Sequence, residues 1–300
     1  MDDGKRVLII SPVRNEAAHI ETLARSLQAQ DRPPDHWIVV DDNSTDETPD
    51  LLARLEAELP FMSVVSTPSE YTRDAGDRHA VAAAPRAFNV ALRTTDWQQF
   101  THVGKLDADI ELPPDYFTML LAEFDRDPQL GIGGGMIIEQ VGEEWRLMRT
   151  APDAVRGALK LYSRACFEAI GGVREHLGWD GVDQTYAMMR GYRTHSFEHI
   201  IVRHHRACGS ADGLLKGRVR GGETYYVVGW SFPWMLGKSV KQSRLRPIGL
   251  SGLAFVYGYV RAALRSVPRV ADEDYRQFLR QRERRRMLHA LTRAPLPRRG

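Results

Sequence analysis

Carboxylates cluster at places where a parallel sheet would present them to a ligand. Asp107-Ala108-Asp109 closes a strand-like run over 102–107, and Asp41-Asp42 follows Trp37-Ile38-Val39-Val40. At the strand period of two, Asp107 and Asp109 lie on one side, where their oxygens suit a hard divalent cation such as Mg2+ or Mn2+. A carboxylate at Asp41 or Asp42 can accept the imide N–H of a uracil or thymine ring; Asp42-Asn43-Ser44 is also ordinary turn composition. Asp180 and Asp183 stand three apart, a spacing that brings both acids to one helical face, although acids also favour a helix N-terminus for electrostatic reasons. His204-His205 follows another strand-like run. Adjacent strand residues point to opposite faces, so one imidazole at most can join a metal.

The elements that must position these groups alternate along the first half. Val7-Leu8-Ile9-Ile10 reads as a strand covered on both faces, and Pro12 to Glu16 as a polar turn behind it. Ile20, Leu23 and Leu27 form one stripe of an amphipathic helix. Thr48-Pro49 predicts a helix N-cap with proline at the first helical position, leading into Leu51, Leu52, Leu55 and Leu59. Met62 to Ser66, a helix over 85–93 and the strand over 102–107 complete a β-α-β-α-β series. That order implies a doubly wound parallel sheet, whose ligands sit at the carboxyl ends of the strands.

Beyond residue 110 the alternation weakens. We read a helix over 113–124, a strand over 131–139, helices over 163–170 and from Asp180 to Gly191, and a strand over 192–197. Gly133-Gly134-Gly135 would admit a close backbone or a ligand. Lys216, Arg218 and Arg220, set among glycines between 209 and 222, read as a loop able to close on a diphosphate or as a solvated basic loop. From about Arg244 the chain looks helical and amphipathic, and it becomes densely basic from Arg276 to Arg299.

With 300 residues, 43% hydrophobic and 27% charged, the chain has the balance of an ordinary globular protein. A formal charge of +2 does not suit a nucleic-acid binder, and no nucleic-acid partner is expected. Cys166 and Cys208 make neither a metal-ligand nor a redox spacing, and read as thiols. No signal peptide or spanning helix is expected; Pro247 to Val260, an uncharged stretch that no other exceeds, falls short of the ~20 residues a span requires.

The segments PVRNE (12–16), VVDDNSTD (39–46), RAFN (86–89), KLDADIELPPDYF (105–117), GWDGVD (178–183) and HHR (204–206), in this order, resemble an inverting family-2 glycosyltransferase of the GT-A fold. The resemblance implies an α/β fold: a Rossmann-type, mostly parallel sheet flanked by helices over residues 1–243, with a helical, basic C-terminal extension over 244–300. It implies transfer of a sugar from a nucleotide diphosphate donor, UDP- or dTDP-linked by preference, to a saccharide or lipid-linked acceptor hydroxyl with inversion. It places Pro12, Arg14, Glu16, Asp41, Asp42 and Asn89 around the nucleotide. Asp109 would contact the Mg2+ or Mn2+ ion, Asp107 the ribose or metal-bound water, and His204 or His205 would supply a third ligand. The base would be Asp180, with Asp183 as the alternative; here Trp179-Asp180 stands where the family has Glu-Asp. By position alone, residues 131–165, including Arg156, Lys160 and Tyr162, are expected to meet the acceptor.

Such an enzyme would serve bacterial surface glycan or glycolipid assembly in the cytoplasm or at the inner face of the plasma membrane. Its C-terminal helices would pack on the catalytic domain, pair two copies, or lie on an anionic bilayer. Two other readings compete: a sugar nucleotidyltransferase, and a non-catalytic nucleotide- or carbohydrate-binding protein of the same fold. The first normally has glycines in the loop after its first strand, and Ser11 to Glu16 has none.

Overall fold

A computed structural model describes residues 4–69, 82–141, 144–206, 214–245 and 247–292. The chain divides into two compact units, Met1–Ala207 and Cys208–Gly300.

In the first unit the strands are β1 (Val7–Val13), β2 (His36–Asp41), β3 (Met62–Ser66), β4 (His102–Leu106), β5 (Ile110–Glu111), β6 (Leu130–Val141), β7 (Glu144–Leu147), β8 (Leu159–Ser163) and β9 (Arg193–His204). The helices are α1 (Ile20–Gln28), α2 (Thr48–Glu58), α3 (Ala83–Thr94), α4 (Tyr116–Arg126), α5 (Arg164–Ile170) and α6 (Trp179–Met189). The strands form one sheet in the order β3-β2-β1-β4-β8-β6-β9-β5, with β7 paired to β6. The expected parallel, doubly wound arrangement holds across β3-β2-β1-β4. Past β4 the sheet is mixed: β8 runs antiparallel to β4 and β6, while β6 and β9 run parallel.

Val7 to Ile10 are all buried, as a strand covered on both faces requires, and the Ile20-Leu23-Leu27 stripe of α1 is fully inside. The start of α2 differs from expectation by one residue. Glu47 occupies the N-cap position, and Thr48, already helical, turns its Oγ1 to accept from the Glu16 backbone N–H at 2.9 Å. That bond joins the loops after β1 and β2. The glycines of β6 are occupied by backbone: a Cβ on Gly135 would stand 2.5 Å from the Ile200 carbonyl oxygen, and one on Gly134 2.7 Å from that of Leu159. They serve close strand packing, and no room for a ligand remains beside them.

Register brings the chemistry together. The short β5 pairs antiparallel with the end of β9, setting Ile110 opposite His204 and Glu111 opposite Arg203. On the other side of β9, Glu139 of β6 stands opposite the same histidine. The strand after the glycine-rich region is thus longer than its predicted 192–197 core, and that extra length carries His204 to the carboxylates.

The second unit contains α7 (Leu214–Val228), α8 (Phe232–Gln242), α9 (Leu250–Leu264) and α10 (Glu273–Thr292). The predicted flexible loop over 209–222 is corrected here: from Leu214 onward it is helix α7, which carries Lys216, Arg218 and Arg220, while 207–213, Cys208 among them, lies outside the described residues. Met235, Phe255 and Tyr259 form this unit's core. The described part of the arginine-rich stretch, α10, belongs to this unit. Tyr275 and Leu279 of α10 are fully buried, and the Glu283 carboxylate accepts from the Ser231 backbone N–H at 2.7 Å.

Candidate active site

Asp109 sits between the end of β4 and the start of β5, and the His205 backbone N–H donates to its carbonyl at 2.8 Å. That ladder bond holds the buried Asp109 carboxylate against His204, with Nε2 to Oδ1 at 3.2 Å. The other ring nitrogen, Nδ1, lies 3.5 Å from Glu139 Oε1. Arg206 completes the cluster. Its guanidinium lies 2.5 Å from Glu16 Oε2 and 3.7 Å from Asp109 Oδ2, so the turn after β1 is tied to the end of β9. Buried charges of this kind persist only when paired, and here every carboxylate faces a cation.

The titration of these groups follows from that packing. Burial works against a charged His204, yet the Asp109 and Glu139 carboxylates beside it and the charge of Asp107 outweigh it and push the imidazole up to about 9. Burial would raise the Asp109 carboxyl; donation from His204 and the charges of His204 and Arg206 overcome this and hold it below the ordinary value. At Glu16 burial dominates, raising the carboxyl despite the pull of Arg206.

The histidine pair divides as strand geometry requires. His204 faces Asp109, whereas the His205 ring turns to Glu111, with Nε2 to Oε2 at 3.0 Å, and meets the edge of Trp145. Among the described residues no group of three His, Cys, Asp or Glu side chains is arranged to hold a metal by itself. A cation nevertheless fits the Asp109–His204 pair. Two ligands about 2.1 Å from an octahedral ion and at right angles lie about 3.0 Å apart, close to the observed 3.2 Å. Such an ion takes its remaining ligands from phosphate and water. Asp107, a neighbour of this pair, is ion-paired with Lys105.

The turns after β1 and β2 are laced together. Asp41 Oδ1 accepts from the Ser44 N–H at 3.1 Å, and Asp42 Oδ1 from Thr67 Oγ1 at 2.7 Å. Arg14 donates to the Asp42 carbonyl at 3.0 Å, and Pro12 pairs in register with Val40. The structure thus brings Pro12, Arg14, Glu16, Asp41 and Asp42 to one sheet edge, with turn chemistry and ligand-edge placement coexisting. Asn89 is not brought there: its amide donates to the Val173 carbonyl and the Glu175 carboxylate, both at 3.0 Å, fastening α3 to the loop before α6.

Helix α6 presents its two acids differently. Asp183 is sealed, its oxygens 2.7 and 2.8 Å from Lys160 Nζ, with Tyr162 Oη and the Gln184 N–H also donating. Burial drives this carboxyl upward while Lys160 pulls against it. Asp180, one turn earlier, is half-buried, and its carboxylate makes no hydrogen bond or ion pair among the described residues. Gly157 lets the preceding loop reach this helix start, since a Cβ there would meet Asp180 Cβ at 3.1 Å and Trp179 Cζ2 at 3.3 Å. The expectation that Lys160 and Tyr162 meet an acceptor is overturned: both are fully buried and hold Asp183. Lys160→Met is therefore expected to cost about 3–5 kcal/mol of stability by leaving a buried charge unpaired. Urea denaturation measures this, and a loss below about 1 kcal/mol, the scale of an exposed pair, would show the ion pair to be dispensable.

Sequence reasoning missed three contributors: Glu139, Arg206 as a linker, and Lys105. Lys105 is buried, donates to the Gly157 carbonyl at 3.0 Å and pairs with Asp107. A lysine inside the strand, two residues before Asp107, was the available signal. Lys105 and Lys160 place their ammonium groups 5.4 and 5.2 Å from the Trp179 ring centroid, so the indole is shared by two buried cations.

Comparison with known proteins accords with this geometry. Residues 8–191 match the sequence profile of Glycosyl transferase family 2. The chain belongs to that family. Over 202 residues this family-2 protein is 28% identical to a beta-monoglucosyldiacylglycerol synthase of Synechocystis sp., a match covering 60% of the chain and 39% of that relative. It thus spans well under half the length of the relative. Its fold is similar to that of the mannosyltransferase PcManGT from Pyrobaculum calidifontis, solved with GDP-Man and Mn2+, at TM-score 0.55 and 19% identity over 97% of this chain and 88% of the other. It is also similar to S. aureus TarS 1-349 in complex with UDP-GlcNAc, at TM-score 0.54 and 16% identity over 91% and 78% of the two chains. These likenesses establish a GT-A-type fold for the family-2 domain, followed by C-terminal helices.

Proposed function

We propose that this family-2 protein transfers a sugar from a nucleotide diphosphate donor, a UDP- or dTDP-sugar by preference, to an acceptor hydroxyl in a single inverting displacement. The observation that carries the reading is the meeting of Asp109 with His204 at a ligand-to-ligand distance, at the carboxyl edge of the sheet. Asp109 and His204, with Asp107 beside them, would hold Mg2+ or Mn2+. When bound, that ion neutralises the charge of the diphosphate leaving group. His204 and Arg206 hold the Asp109 carboxyl below its ordinary value, and Asp41 or Asp42 meets the base of the nucleotide. Asp180 takes the acceptor proton. Its carboxylate is the one on α6 left without a partner, whereas Asp183 positions the helix through Lys160. We count residues up to about 243 with the catalytic domain, whose acceptor is a saccharide or a lipid-linked glycan precursor met on the cytoplasmic side. The name of the Synechocystis relative, a glycolipid synthase, supports a lipid-linked acceptor.

A nucleotidyltransferase needs free backbone N–H groups after β1 to cradle phosphates. Here the N–H groups of Asn15 and Glu16 are already bonded to Ser44 Oγ at 3.0 Å and Thr48 Oγ1 at 2.9 Å, which favours glycosyl transfer. The test is a panel of UDP-, dTDP- and GDP-sugars, scored for nucleoside diphosphate release with and without Mn2+. Metal-stimulated release from one donor is the expected result. Pyrophosphate exchange in its place would establish nucleotidyl transfer, and silence across the panel with a thermal shift on binding would establish a non-catalytic binder.

A further inference from the structure

The second unit departs sharply from the first in charge and surface. Residues 208–300 contain 19 Lys and Arg against 6 Asp and Glu, a net +13 in a chain whose total is +2. No acidic residue occurs between Glu223 and Asp272, a stretch that includes all of α8 and α9. Of fifteen exposed large hydrophobic side chains among the described residues, twelve lie in this unit, so the apolar surface is concentrated where the positive charge is.

That surface has helical order. Leu250, Leu253, Tyr257, Val260 and Leu264 recur at intervals of three and four along α9 and share one side of it, with Leu253 66% and Leu264 82% exposed. The opposite side of α9 is accounted for: Phe255, Tyr259 and Ala262 are buried, and a Cβ on Gly258 would collide with the Val219 carbonyl of α7. The outward stripe continues into the preceding turn through Ile248, a few residues after exposed Lys241 and Arg244 in the chain, and ends at exposed Arg265. Apolar side chains flanked by cations match the two layers of an anionic bilayer surface, acyl chains below and phosphate head groups above. At 15 residues α9 is about 22 Å long, short of the about 30 Å hydrocarbon core, and no helix among the described residues is long and apolar enough to span a membrane. A helix of this length and pattern lies in the interface plane. A second copy of the chain is disfavoured as the partner, because joining two such faces would juxtapose two units of the same strong positive charge.

We propose that α9 and the turn before it form a docking surface for anionic lipid bilayers. The surface acts independently of the transfer chemistry, and its test needs no donor or acceptor. The full chain is sedimented with vesicles of phosphatidylcholine alone and of phosphatidylcholine mixed with phosphatidylglycerol, at low and high salt. Binding to the mixed vesicles is expected at low salt and should weaken at high salt as the charges are screened. Leu253→Ser with Leu264→Ser should reduce it by about tenfold or more at an unchanged melting temperature, since both side chains are already in water. Lys241→Gln with Arg244→Gln should reduce it by about fivefold per charge and provides a second variant that leaves the apolar stripe intact. No sedimentation with mixed vesicles at low salt overturns the proposal, as does binding that neither pair of substitutions alters. A dimer in sedimentation velocity that the leucine pair dissociates, with vesicle binding unchanged, would assign the surface to a second copy.

Discussion

Asp180→Asn is expected to lower kcat by about 10²–10⁴-fold, the range supplied by a positioned general base, while the donor KM stays near wild type. The split follows from the place of the side chain. Asp180 stands in the first turn of α6, and its carboxylate makes no hydrogen bond or ion pair among the described residues, so removing its charge disturbs no pairing. Asp183→Asn should behave in the opposite way. It withdraws the charge that Lys160 meets at 2.7 Å, and its signature is a fall in melting temperature with activity lost in proportion to unfolding. Steady-state kinetics and thermal melts of the two variants decide the matter. An inactive but fully stable Asp183→Asn beside a healthy Asp180→Asn would move the base by one turn. Retention of the donor's anomeric configuration in the product would remove single displacement altogether.

Chelation is expected to abolish transfer in the wild type, with recovery on adding Mn2+ or Mg2+, and Asp109→Asn should cost about 10²-fold or more whatever the ion concentration. The buried Asp109 carboxylate touches His204 and Arg206, and an amide there can neither offer an anionic oxygen to the ion nor balance the Arg206 guanidinium. Nucleoside diphosphate release measured against metal concentration provides the check. Full activity of Asp109→Asn, or of chelated wild type, would take the metal away from this site.

Local periodicity was enough to read the left side of the sheet. The apolar runs of β1, β2 and β4 and the stripe of α1 are short-range patterns, and the acids at their ends follow directly from chain direction. What sequence could not reveal depends on pairing between distant strands. Glu139 and His204 become neighbours only through the β6–β9 register, and His204 meets Asp109 only because the two-residue β5 attaches to the end of β9. The errors have the same origin. Lys160 and Tyr162 looked like polar residues near an acceptor, since nothing local announces that a lysine will be buried against an aspartate 23 positions later. Lys216, Arg218 and Arg220 among glycines resembled a loop because glycine disfavours helix locally, yet packing of α7 against α9 overrides that preference. Gly222 shows why glycine is required there: a Cβ would stand 1.9 Å from the Phe255 carbonyl oxygen.

The register of β4 against β8 sets Lys105 directly opposite Lys160. Like charges in that position push strands apart. Each ammonium is balanced from elsewhere: Asp107 arrives from the strand end, Asp183 from α6, and the Trp179 ring of the same helix meets both cations. Detaching α6 would therefore remove the Lys160 counter-charge and the shared indole in one step, leaving two buried lysines facing each other across a strand pair. Helix and strands are bound into one cooperative opening unit, with a common free energy of exposure and no cheap way for the helix to swing alone. The carboxylate of Asp180 thus rides on a stationary platform.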